Sequence, residues 1–122
     1  MPKSILIVDD SPVVRTATRH FLESQTPYEV CGEAVDGLDA IEKARHLSPD
    51  LIILDLQMPR MNGLLAASEL RKLNITAPII LFTMYADAVH PADVATAGIT
   101  AVINKADLAA LRAHVEVLFP LE

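Results

Sequence analysis

One cysteine, Cys31, stands in 122 residues, so no disulfide can form within the chain. A single thiol suits a reducing compartment. No apolar run approaches the ~20 residues that a membrane-crossing helix needs. The N-terminal Met-Pro-Lys-Ser has no apolar segment with a cleavage site behind it. Together these absences predict a cytoplasmic protein with no membrane partner. Basic clusters are missing as well. The formal net charge is −6, which argues against nonspecific attraction to nucleic acid or anionic lipid. The histidines at 20, 46, 90 and 114 are scattered without metal-ligand spacing and read as surface or packing residues. Repeats, linkers and low-complexity tracts are absent.

What is present is a core. Hydrophobic residues make up 52% of the chain and charged residues 21%, which excludes disorder. The length suits one domain, residues 1–122, large enough to bury its core without staples. Apolar runs recur at Ile5–Val8, Leu51–Leu54, Ile79–Phe82 and Ile99–Ile103. The first three are nearly uninterrupted, the pattern of parallel strands covered on both faces. Tyr28 to Val35 mixes charged and apolar residues, as an edge strand does, and Cys31 within it reads as a small buried hydrophobe. The Ile99–Ile103 run is broken by Thr100 and predicts the other edge.

Helical patterns fill the gaps. Ser11 and Pro12 form an N-cap and first turn, followed by Val14, Ala17, Phe21 and Leu22 at helical spacing. Leu38, Ile41, Ala44 and Leu47 make a second stripe, stopped near Pro49. Leu64–Leu73 is a third helix, and Pro91–Ala97 a short fourth ended by Gly98. Leu108, Leu111, Val115 and Leu118 make the fifth, closed by Pro120. Strict alternation implies an α/β fold with right-handed crossovers and helices on both faces of a parallel sheet. With the second and fifth strands at the edges, the strand order is 2-1-3-4-5. The fifth helix reaches the end of these residues, leaving no effector domain among them.

Ligands of such a sheet bind beyond the carboxyl ends of its strands. The first strand ends at Asp9-Asp10, the third at Asp55, the fourth at Thr83 and the fifth at Lys105. The predicted order brings them together. Carboxylates so close resist full ionisation unless a cation enters. Mg²⁺ takes one or two carboxylates, keeps waters and accepts a phosphate oxygen. A lysine and a hydroxyl opposite suit phosphoryl transfer with a carboxylate nucleophile.

The ordered set of Asp9-Asp10, Asp55-Leu56-Gln57-Met58-Pro59, Asn62-Gly63, Thr83 and Lys105 resembles the receiver domain of bacterial two-component response regulators, of the stand-alone kind. The resemblance implies a flavodoxin-like (βα)5 fold in which Asp55 accepts a phosphoryl group. The donor would be a sensor histidine kinase or a histidine phosphotransfer protein. It further implies Mg²⁺ bound directly by Asp10, Asp55 and the backbone carbonyl of Gln57, and by Asp9 through water. Lys105 would pair with Asp55 before modification and with the phosphoryl group after it, and the Thr83 hydroxyl would swing to a phosphoryl oxygen. The signal would pass by protein contact to a downstream target, with no catalysis on a separate substrate. The face of the fourth helix, fifth strand and fifth helix is the expected output or homodimer surface. Val13, Val14 and Arg15 would touch the phosphodonor, unless the valines are core.

Several positions depart from the family pattern. Val102 stands where many receivers carry an aromatic switch residue, and a β-branched chain is stiff. Tyr85 is the aromatic on the moving loop that would share that role. Met84 follows the threonine where small residues are common, and would slow aspartyl-phosphate hydrolysis if it covers the site. Ala106 replaces the usual proline, so the Lys105–Ala106 peptide should be trans. Competing readings are a receiver that works unphosphorylated and an aspartyl-nucleophile phosphatase. The second is weakened by Gln57, which occupies the place of such enzymes' acid/base.

Overall fold

In a computed structural model describing residues 2–120, the apolar runs become neighbouring strands of one sheet. The strands are β1 (Ser4–Val8), β2 (Glu29–Ala34), β3 (Leu51–Leu54), β4 (Ile79–Thr83) and β5 (Ala101–Asn104). They alternate with α1 (Pro12–Gln25), α2 (Gly37–Leu47), α3 (Gly63–Lys72), α4 (Pro91–Ala97) and α5 (Leu108–Leu118). The sheet is parallel throughout, in the order β2-β1-β3-β4-β5. This is the expected doubly wound, flavodoxin-like architecture. A 3₁₀ turn at Ala86–Ala88 bridges β4 and α4.

The uninterrupted strands follow from two cores. Leu6, Val8, Ile52, Leu54, Ile79 and Leu81 face α2, α3 and α4, while Ile5, Ile7, Leu51, Ile53, Ile80 and Phe82 face α1 and α5. Successive side chains therefore enter opposite cores, and each must be apolar. Full burial of such a side chain contributes about 1.5–3 kcal/mol. α1 starts as its sequence suggests: Ser11 Oγ accepts the Val14 N–H at 3.3 Å, with Pro12 in the first turn. α4 stops at Gly98, whose φ of 74° is left-handed, and the Ile99 N–H donates back to the Val94 carbonyl. That cap consumes Ile99, so β5 begins at Ala101 rather than at Ile99.

Two sequence expectations need correction. On α2 the apolar stripe is displaced: Gly37, Ala40 and Ala44 are buried, while Leu38 and Leu47 are substantially exposed. Small residues let α2 approach the sheet closely, and Leu47 instead lies over Gly32. Cys31 is half-buried rather than buried. The β1–β2 register jumps from Ile5↔Val30 to Leu6↔Gly32, leaving Cys31 as the extra residue of a bulge. The bulge sends Val30 and Ala34, four residues apart, into opposite cores. No helix among the described residues is long and apolar enough to cross a membrane.

Candidate phosphoacceptor site

The parallel ladder fixes the site's residues by their backbones. The Asp9 N–H donates to the Ala34 carbonyl at 3.0 Å, Asp55 N–H to Val8 at 2.9 Å, and Lys105 N–H to Thr83 at 3.0 Å. Each polar residue thus stands one step past its strand, held to the neighbouring strand's end. Asp9, Asp10 and Asp55 each offer a carboxylate oxygen within 4.8 Å of the others. Asp9 and Asp55 are buried and Asp10 is exposed. The chemistry of this set, hard oxygens with one acid open to water, fits a Mg²⁺ ion.

Lys105 crosses from β5 to both buried acids. Its Nζ lies 2.6 Å from Asp9 Oδ2 and 3.1 Å from Asp55 Oδ2. Asp55 Oδ1 accepts the Leu56 N–H at 2.8 Å. Burial pushes the Asp55 carboxyl above its ordinary pKa, and the Asp9 charge adds to this; Lys105 offsets part of it. Burial alone would lower the Lys105 pKa, but its hydrogen bonds to Asp9 and Asp55 outweigh that and raise it. The ammonium therefore stays charged in its pocket.

The remaining expected residues surround this centre. Thr83 is fully buried, and its Oγ1 accepts the Tyr85 N–H at 3.1 Å. Met84 and Tyr85 are exposed, and Val102 is half-buried against the α2–α4 core. Gln57 is exposed on the loop after β3. No peptide bond among the described residues is cis, including that of Lys105–Ala106. Val13 is largely exposed and Val14 half-buried, so Val13 is not core. All four histidines are exposed, and His90 caps α4.

Two contacts escaped the sequence. The Lys105 pairing with Asp9, shorter than that with Asp55, was unforeseen. Asp36, a buried N-cap of α2, forms an ion pair with Arg60 of the β3–α3 loop. Asp is a residue type that favours the N-cap, so Asp36 ahead of the α2 stripe carries a local signal for the cap; nothing local points to the arginine.

The chain belongs to the response regulator receiver domain family, whose model matches residues 5–116. It is 41% identical to the nitrate/nitrite response regulator protein NarL of Escherichia coli over 96 residues, 79% of this chain and 43% of that protein. The chain therefore spans less than half the length of that relative. Over 81 residues it is 41% identical to the chemotaxis protein CheY of Thermotoga maritima, covering 66% of this chain and 67% of that one. Among solved structures, it superposes on the response regulator protein TrrA of Thermotoga maritima, in complex with Mg²⁺-BeF, with a TM-score of 0.86 and 32% identity. That match covers 96% of this chain and 99% of the other.

Proposed function

We propose that the chain is a phosphoacceptor in a two-component phosphorelay, taking a phosphoryl group on Asp55 from a phosphohistidine and signalling by protein contact. The observation that carries this is Asp55 itself. It is a buried carboxylate 3.1 Å from a lysine and within 4.8 Å of two further acids at the sheet's carboxyl end. An Asp55 oxygen attacks phosphorus, the phosphorus–nitrogen bond breaks, and the electron pair leaves on the imidazole of a sensor histidine kinase or histidine phosphotransfer protein. The Leu56 N–H holds the carboxylate plane, and Lys105 follows the transferred oxygens. Asp10, Asp55 and the Gln57 carbonyl would hold Mg²⁺ directly, with Asp9, already occupied by Lys105, reached through water. When bound, the ion neutralises charge on the phosphoryl oxygens.

Thr83 gives the signal its route. Its hydroxyl accepts the Tyr85 N–H and keeps its own proton to donate, so a shift of that hydroxyl toward a phosphoryl oxygen would pull on Met84, Tyr85 and the 3₁₀ turn ahead of α4. Val102 packs beneath this loop's helix layer, and the α4–β5–α5 face would present the change to a downstream target. The test is intact mass after incubation with a small phosphodonor and Mg²⁺. A gain of one phosphoryl group is expected, lost on Asp55→Asn and on chelation. No gain with any donor would overturn the reading in favour of a receiver that works unmodified, and steady turnover of phosphoesters would favour a phosphatase.

A further inference from the structure

Arg60 has a backbone that side chains of its kind avoid. Its φ is 66°, in the left-handed region where glycine or asparagine is the usual occupant. The Met61 N–H donates to the Pro59 carbonyl at 2.7 Å, closing a three-residue turn around it. Turns of that span with positive φ at the centre are rare and strained. Such strain persists where surrounding contacts over-determine it.

The contact here is with α2. Arg60 Nε and a terminal guanidinium nitrogen converge on Asp36 Oδ2 at 2.7 and 2.6 Å, while Asp36 Oδ1 accepts the Asp39 N–H at 2.9 Å. The Asp36 side chain is 5% exposed against 59% for Arg60, so the arginine reaches from solvent to a buried acid. The loop's ends are fixed separately. The Gly63 N–H donates to the Leu56 carbonyl at 2.8 Å, and Met61 rests where a side chain on Gly37 would stand. Between those ends lies Gln57–Pro59, held to the fold by Met58, which packs partly buried on the α2–α4 core, and by the pairing of the adjoining Arg60 with Asp36.

We infer that Arg60 is a positioning residue for the metal loop: clamped by Asp36, it holds the Gln57 carbonyl where a divalent cation on the acid cluster needs it. This rests on the function proposed above. Partners that orient metal ligands from behind commonly change affinity by ten- to a hundredfold. Arg60 acts through backbone rather than by touching a ligand, so the lower end applies.

Three variants separate a positioning role from a merely structural one. Arg60→Gly suits the positive φ and removes the clamp; Arg60→Lys keeps charge without the two-pronged contact; Asp36→Asn keeps the cap oxygen without charge. The readouts are Mg²⁺ affinity by calorimetry, melting temperature in EDTA, and phosphoryl uptake from a small phosphodonor. Arg60→Gly and Asp36→Asn are expected to weaken Mg²⁺ binding about tenfold. Uptake should slow at low Mg²⁺ and recover at saturation, with Arg60→Lys between. Combining Arg60→Gly with Asp36→Asn should cost no more Mg²⁺ affinity than either alone. Removing the cation from buried Asp36 should lower the melting temperature of Arg60→Gly in EDTA, and adding Asp36→Asn should recover part of that fall without recovering Mg²⁺ affinity. Wild-type Mg²⁺ affinity in Arg60→Gly overturns the inference, as does an affinity that recovers together with metal-free stability in the double variant. A wild type that neither binds Mg²⁺ nor takes phosphoryl overturns the proposed function and the clamp with it; a competent wild type with unaltered variants removes the clamp alone.

Discussion

Asp55 is a group the metal-free fold holds at a cost. Its folded carboxyl pKa is raised above the ordinary 3.8, so the folded chain keeps its proton more readily than the unfolded chain. Stability contributed at this position therefore falls as pH rises from 3.8 through the folded pKa and stays reduced above it. Asp55→Asn removes the charge and should raise the melting temperature at neutral pH in EDTA while abolishing phosphorylation. A lower melting temperature would mean that the Lys105 contact outweighs burial. Lys105 behaves oppositely. Its pKa is raised above 10.5, so its contribution is complete below that value and lost as pH climbs through the folded pKa. Lys105→Ala leaves Asp9 and Asp55 without their shared cation and should cost about 3 kcal/mol in denaturant titrations without metal. Mg²⁺ should restore part of that loss.

At the scale of elements, the end of the fold remote from the acids is fastened by Arg71. Its guanidinium donates to the carbonyls of Gly98, Ile75 and Ala77 at 2.8–3.1 Å, joining α3 to the end of α4 and the entry to β4. Burial lowers its pKa, yet it stays charged. Arg71→Met should cost about 3 kcal/mol by urea unfolding, because several carbonyls lose a charged donor together; Arg71→Lys should recover a fraction. A change below 0.5 kcal/mol would show that water replaces the guanidinium. Neither Arg71 nor its carbonyl partners were legible in sequence, since they come from separate segments. The central strands and α1, α4 and α5 were legible, because two-sided burial and Ser-Pro, Pro and Gly signals are local. On α2 the degree of burial of the leucines was not legible, because close helix–sheet packing favoured the alanines; β2 was legible as an edge strand, and only the degree of burial of Cys31 was not, because a one-residue bulge breaks the alternation.

For the molecule as a whole, β2 is tied to α1 by charge. Glu33 receives Arg15 at 3.0 Å and Arg19 at 2.7 Å. Burial works to raise the Glu33 pKa, but the two arginines prevail and lower it. Its contribution is present above the ordinary glutamate value of 4.5 and lost as pH falls through the lowered folded pKa. Glu33→Gln should therefore be less stable than wild type at pH 7 and converge with it under acid, read from melting temperature against pH. Binding of Mg²⁺ to the folded state alone should add about 2.7 kcal/mol of stability at a hundred times its dissociation constant. The candidate site was legible because the topology maps chain order onto place: each suspect residue directly follows a strand. The partners of those residues were less so, since a lysine poised between two acids is a matter of ångströms, not of order. That poise sets the site's electroneutrality. Lys105 cancels one of the three carboxylate charges, leaving a deficit of two, the valence of a single alkaline-earth ion. Sodium or potassium would leave the cluster undercompensated at any one position. On formal charge, a cation bound at this cluster would be selected first by its valence, and only then by size or geometry.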